Sequence, residues 1–128
     1  MQKKYVVIGA VLMALAVGLG AFGAHILSSM LSPKALETFK TGVHYHMIHA
    51  IGILVTTLVA AQWGIDNKTL LWANRLFLSG IILFSGSLYG LSLTGAKWFG
   101  PITPLGGVSF IVGWLTFAVV IVKNKKIS

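Results

Sequence analysis

Cysteine is absent, and acidic residues are nearly so: Glu37 and Asp66 stand against ten Lys and Arg. Without thiols there can be no disulfide, thiolate metal site, iron–sulfur cluster or cysteine nucleophile. With so few carboxylates, Ser85, Ser87 and Ser92 lack an acidic partner for a catalytic triad. Zinc and iron sites built from histidine lack the carboxylate that often completes them. Charged residues make up 9% of the chain and hydrophobic residues 56%, with a mean hydropathy of +0.89. A soluble domain of 128 residues cannot hide that much apolar surface in one small core. The implied solvent is lipid. The pI of 10.1 comes from basic residues at the termini and between apolar runs, the pattern of juxtamembrane lysines rather than of a nucleic-acid footprint.

What is present is four apolar stretches of bilayer length, residues 5–27, 45–63, 70–93 and 105–122. None has an interior proline, and an open sheet could not satisfy its backbone in hydrocarbon, so each reads as a helix. The expectation is all-α: one integral membrane domain covering residues 1–128, a bundle of four transmembrane helices. An alternative for the first stretch is a signal peptide, with Lys3 and Lys4 ahead of it and Ala21-Phe22-Gly23 as a small-residue cleavage site. Its length and the patterned face of its far half favour a retained span.

Between the first two spans, Ser32-Pro33 reads as an N-cap followed by proline at the first helical position. Leu36, Phe39, Val43 and Met47 then recur at helical spacing, while Lys34, Glu37 and Lys40 point elsewhere. This predicts a short amphipathic helix on the surface, running into the second span with a bend near Gly42. Pro101 and Pro104 stop the third span and stiffen the approach to the fourth. Across a four-span chain, Lys3, Lys4, Lys68, Arg75, Lys123, Lys125 and Lys126 share one side, and Lys34, Lys40 and Lys97 the other. That imbalance places both termini in the cytoplasm, with Trp63 and Trp72 at the inner interface and Trp98 at the outer one. Arg75, just inside the third span, can reach the inner headgroups with its long stem.

Projection of the first span at 100° per residue separates a bulky sector, Ile8, Leu12, Leu15, Leu19, Phe22 and Ile26, from a small one, Ala10, Ala14, Gly18, Ala21 and His25. Small residues let helices approach in lipid, so the small sector is predicted to face protein. In the second span His46, His49, Ile53, Thr56 and Ala60 share a sector from which His44 projects away. His25, His46 and His49 are thus expected at similar depth near the outer face, forming a polar cluster with Tyr89 and Thr103. Gly86 and Gly90, in GxxxG spacing, and Gly106 and Gly113 are the predicted packing positions of the third and fourth spans.

Four segments, GAFGAH (20–25), YHMIHA (45–50), LFSGSLYGLSLTG (83–95) and ITPLGGVSFIVGW (102–114), in this order and spacing, resemble family 423 of domains of unknown function. These are small bacterial membrane proteins similar to eukaryotic transmembrane protein 256. The resemblance spans essentially the whole chain. It implies four membrane helices in a bacterial plasma membrane and no established activity. His25 and His49 match the family pattern, as do Phe84, Ser85, Gly86, Ser87, Tyr89, Thr103, Pro104, Gly106 and Gly107, whereas His46 stands where the pattern often has Gln.

The expected function is that of a non-enzymatic membrane component, with no catalytic residues, cofactor or metal. Its expected partners are membrane lipid, a second copy of itself or another membrane protein, and not nucleic acid. A second reading is a small transporter or channel in which the histidines carry protons, since an unperturbed imidazole titrates near pH 6.5. A third is a haem or metal binder using histidines on facing helices.

Overall fold

The computed structural model describes residues 2–65 and 68–124. Asp66, Lys125 and Lys126, which entered the charge count, lie outside them. Helix α1 (Gln2–His25) is followed by a short 3-10 turn, Leu27–Ser29, and by α2 (Pro33–Gln62). Helix α3 (Lys68–Gly80) passes through a π-helical turn, Ile81–Ser85, into α4 (Gly86–Thr94). A 3-10 turn, Lys97–Phe99, then leads to α5 (Ile102–Lys123). Four stretches, Lys3–Ser29, Pro33–Gln62, Lys68–Thr94 and Lys97–Lys123, are long and apolar enough to cross a membrane.

Local chemistry sets the ends of these helices. Ser32 caps α2, its hydroxyl accepting from the Ala35 amide at 3.1 Å, with Pro33 at the first helical position. The amphipathic segment predicted between the first two spans is the opening of α2 itself, which runs unbroken for 30 residues. Gly95, at φ 72°, ends α4 in the left-handed conformation, its amide donating to the Leu91 carbonyl at 2.8 Å.

The helices pack in simple registers. Helix α1 runs antiparallel to α2, with Gly23 against Phe39 and Gly9 against Leu54 and Ala50. The α3–α4 span is antiparallel to α2, and α5 is antiparallel to it in turn: Gly113 meets Phe77, Gly80 meets Phe110 and Gly106 meets Phe84. The last brings main chain closest to main chain. A Cβ on Gly106 would lie 2.6 Å from Phe84 Cβ and 2.7 Å from its Cα, so α5 touches the main chain of the neighbouring span inside its π turn. Tyr5, Ile53, Phe77, Ile81 and Phe110 form the central core.

Two packing expectations are corrected. Ala14, Gly18 and Ala21 are exposed, and nothing lies within 4 Å of a Cβ placed on Gly18. The inward face of α1 instead carries Tyr5, Gly9, Ala16 and Gly23, continued by Leu27 of the following turn, with Ile8, Leu12 and Leu19 partly buried beside them. The first span has two small-residue stripes, and in lipid either can meet protein, because bulky residues lose nothing by facing acyl chains. On α4, a Cβ on Gly86 would find only the Ile81 carbonyl of its own helical span, 3.9 Å away. Gly90 receives the ring of Phe99 from the following turn rather than a second helix, so the GxxxG pair is not a helix crossing.

Candidate functional site

His49 is a buried histidine with a partner on each ring nitrogen. Its position on the buried face of α2, four residues after Tyr45, puts Nδ1 2.7 Å from the Tyr45 carbonyl. From α5 the indole of Trp114 donates its N–H to His49 Nε2 at 2.9 Å. A carbonyl can only accept and an indole N–H can only donate, so the two partners assign a neutral imidazole with its proton on Nδ1. Phe110 stacks on the ring at 3.5 Å between centroids and 9° between planes, and Phe77 lies tilted beside it at 5.6 Å. Both nitrogens are thus engaged. Neither keeps a free lone pair for a metal.

His46 is arranged differently. Its Nδ1 lies 2.8 Å from the Tyr89 hydroxyl of α4, while Nε2 is buried without a hydrogen-bond partner, the ring resting near the Leu12 main chain of α1. Gly42, one turn earlier on α2, makes this pairing possible. A Cβ there would sit 2.8 Å from Tyr89 Cε1, where the phenol must pass to reach His46. The Gly42 carbonyl also accepts the hydroxyl of Ser85, wholly buried in the π turn, at 2.7 Å. His46, Tyr89, Gly42 and Ser85 thus form one inter-helix polar knot between α2 and the α3–α4 span.

His25 does not join it. Gly23 faces Phe39 across an antiparallel pair, so His25 is level with Glu37, and His49 is twelve residues further along α2 (49 − 37). At 1.5 Å per residue the axial separation is about 18 Å. His25 is exposed at the end of α1, as is His44 on α2. Thr103 is also apart from the histidines: its hydroxyl is 2.6 Å from that of Ser87, tying the start of α5 to α4. The predicted cluster is therefore two separate histidine sites, a Ser87–Thr103 pair and an exposed His25.

Further polar groups outside the predicted cluster tie the bundle together. Trp114 is one that the sequence reading passed over: it sits mid-helix, where an interfacial tryptophan would not be, and that displacement was the available signal. Toward the end that holds the termini, Asn74 donates to the Thr57 hydroxyl at 3.0 Å, and Thr57 donates to the Ile53 carbonyl at 2.7 Å. The Asn74 carbonyl oxygen and the Thr56 hydroxyl remain buried without partners. Ser109 donates to the Leu76 carbonyl at 2.7 Å, joining α5 to α3. Arg75 is exposed, and its guanidinium lies over the ring of the neighbouring exposed Trp72 at 5.0 Å.

A family model described as "Protein of unknown function (DUF423)" matches residues 19–107, from the end of α1 into the first turns of α5. The chain belongs to the DUF423 family. It is 48% identical over 123 residues to the UPF0382 membrane protein YwdK of Bacillus subtilis, covering 95% of this chain and 98% of the relative. A UPF0382 membrane protein of Staphylococcus epidermidis is 42% identical over 122 residues, covering 95% and 98%. One from Haemophilus influenzae is 40% identical over 127 residues, covering 99% of this chain and all of the relative. No solved structure matches. With four spanning helices and relatives named as membrane proteins, this DUF423 member is a multi-pass membrane protein. The matched range holds both buried histidines, Tyr89 and Gly106, and ends before Trp114.

Proposed function

We propose that this DUF423 protein is a non-enzymatic component of the bacterial plasma membrane that works through lateral contacts with a second copy of itself, lipid or another membrane protein. The observation that carries the reading is the poor cover of α1. In the most apolar window of its span, 17% of residues are buried, against 22% for the span of α5, 39% for that of α3 and α4, and 50% for α2. Its outward side presents Ala10, Ala14, Gly18 and Ala21 among exposed Val11, Leu15 and Val17. A shallow face of this kind lets another helix come close in lipid. The engagement of both His49 nitrogens supports a structural role for that residue rather than a chemical one. The seven-to-three division of basic residues supports cytoplasmic termini.

The natural absence of cysteine makes the test direct. Gly18→Cys is expected to crosslink in native membranes, whereas Val108→Cys on the lipid side of α5 is not. Only monomer, with no co-purifying protein or lipid, would overturn the reading. For topology, Asn124→Cys should resist and Ser28→Cys should react with an impermeant maleimide added outside intact cells.

A second reading, proton-linked transport, is favoured by one observation: the buried, unpartnered Nε2 of His46 beside Tyr89. Proteoliposome flux that ignores pH and survives His46→Ala and His49→Ala would remove it.

A further inference from the structure

We propose that the cleft between the first turns of α2 and the end of α4 binds the phosphate of an anionic phospholipid headgroup. The cleft has a volume of about 280 Å³ and lies at the end of the bundle remote from the termini. Lys34 and Thr38 line one wall, Lys97 and Ser92 the other, and Ala35 and Leu91 supply apolar surface between them.

Charge is the first argument. This end of the bundle has three lysines, Lys34, Lys40 and Lys97, and two of them line this one space. Neither is tied down: no ion pair or hydrogen bond engages the Lys34 or Lys97 ammonium groups among the described residues. Glu37, the one acid at this end, is not among the lining residues. Two exposed cations bordering one small space make it favourable for an anion. Of the lining hydroxyls, Thr38 already donates to the Lys34 carbonyl at 3.1 Å and Ser92 to the Tyr89 carbonyl at 3.0 Å, while Ser32 accepts from the Ala35 amide and keeps its proton for an anion. The two ammonium groups and the Ser32 hydroxyl are therefore the donors that would hold the anion, and a phosphate oxygen is a fitting acceptor for each.

Depth is the second argument, and it selects a lipid over a dissolved ion. The span Lys68–Thr94 has 27 residues, so it rises about 40 Å, the thickness of a bilayer including its headgroups. Leu91 and Ser92 stand at the far end of that span and Gly95 just past it, so the cleft opens at headgroup level. Ala35 and Leu91 can then meet the glycerol and upper acyl carbons while the lysines meet the phosphate.

The site adds a lipid to the lateral-contact reading without needing the α1 face, so losing the Gly18→Cys crosslink would leave it standing. The test uses the full chain in nanodiscs of phosphatidylcholine doped with phosphatidylglycerol, with retained lipid counted by native mass spectrometry. The wild-type protein is expected to retain phosphatidylglycerol preferentially. Lys34→Gln and Lys97→Gln should each lower that preference about fivefold, and the control pair Lys3→Gln with Lys4→Gln should not. Lys34→Arg with Lys97→Arg should preserve it, which separates loss of charge from loss of fold. Equal retention in the Lys34→Gln, Lys97→Gln double variant would overturn the proposal. So would displacement of the lipid by millimolar inorganic phosphate, which would make the site one for the free ion.

Discussion

Replacing Gly106 and Gly18 with alanine puts the same methyl group into two helices that the sequence alone treats alike. At Gly106 the new Cβ would fall 2.6 Å from Phe84 Cβ. Relief to an ordinary contact of 3.4 Å from that atom alone requires α5 and the π turn to part by at least about 0.8 Å (3.4 − 2.6), and the Phe84 amide nitrogen stands closer still. The same movement would draw the Ser87–Thr103 hydroxyls apart from 2.6 Å. Overpacking of this kind costs about 1–3 kcal/mol, partly offset by the roughly 1 kcal/mol by which alanine favours a helix over glycine. At Gly18 nothing lies within 4 Å, so the propensity gain is the whole effect. The propensity contribution cancels between the two variants, and their difference isolates the packing cost at about 1–3 kcal/mol, Gly106→Ala being the less stable. Reversible unfolding in mixed micelles, followed by circular dichroism, would read this difference. Equal stability, or a larger loss at Gly18, would refute both the α5 crossing and the outward assignment of the Gly18 stripe.

Trp114→Phe keeps a ring against Phe77 but strips His49 Nε2 of its donor, and should cost about 1–3 kcal/mol in the same assay. Nitrogen-15 shifts of His49 in the wild-type protein should report a proton on Nδ1; a proton on Nε2 would contradict the bonding pattern. Gly42→Ala should push the Tyr89 ring off His46, so its cost and that of Tyr89→Phe should fail to add, with a coupling of at least about 0.5 kcal/mol in a double-mutant cycle. His25→Ala, at an exposed helix end, should change stability by less than about 0.5 kcal/mol.

The spans were legible because length and hydropathy are decisive in a bilayer: 70–93 became Lys68–Thr94, and 45–63 the far part of Pro33–Gln62. Helix starts were legible too, since Ser32-Pro33 has one economical reading. On α2 the sector of His46, His49, Ile53, Thr56 and Ala60 is buried, as polar residues mid-membrane give a helix a side. Helix α1 offers no such marker. Its two stripes, Gly9-Ala16-Gly23 and Ala14-Gly18-Ala21, are chemically equivalent, and only the bulk presented by Phe39 and Leu54 of α2 decides between them. Depth was hidden for a related reason. Placing His25 beside His49 assumes that α2 begins its crossing near Tyr45, whereas the helix starts at Pro33 and lifts His25 to the level of Glu37. The role of Trp114 depends on α5 running parallel to α2, a long-range relation that no local pattern encodes.

The side-chain hydrogen bonds between helices described above, from Asn74–Thr57 to Trp114–His49, join α2, α3, α4 and α5 to one another. Between Tyr5 and His25 the first helix has no polar side chain at all. During synthesis α1 therefore waits in the bilayer for α2 with nothing to desolvate and nothing to satisfy. The later segments carry groups that oil rejects, and must find one another soon after they enter it.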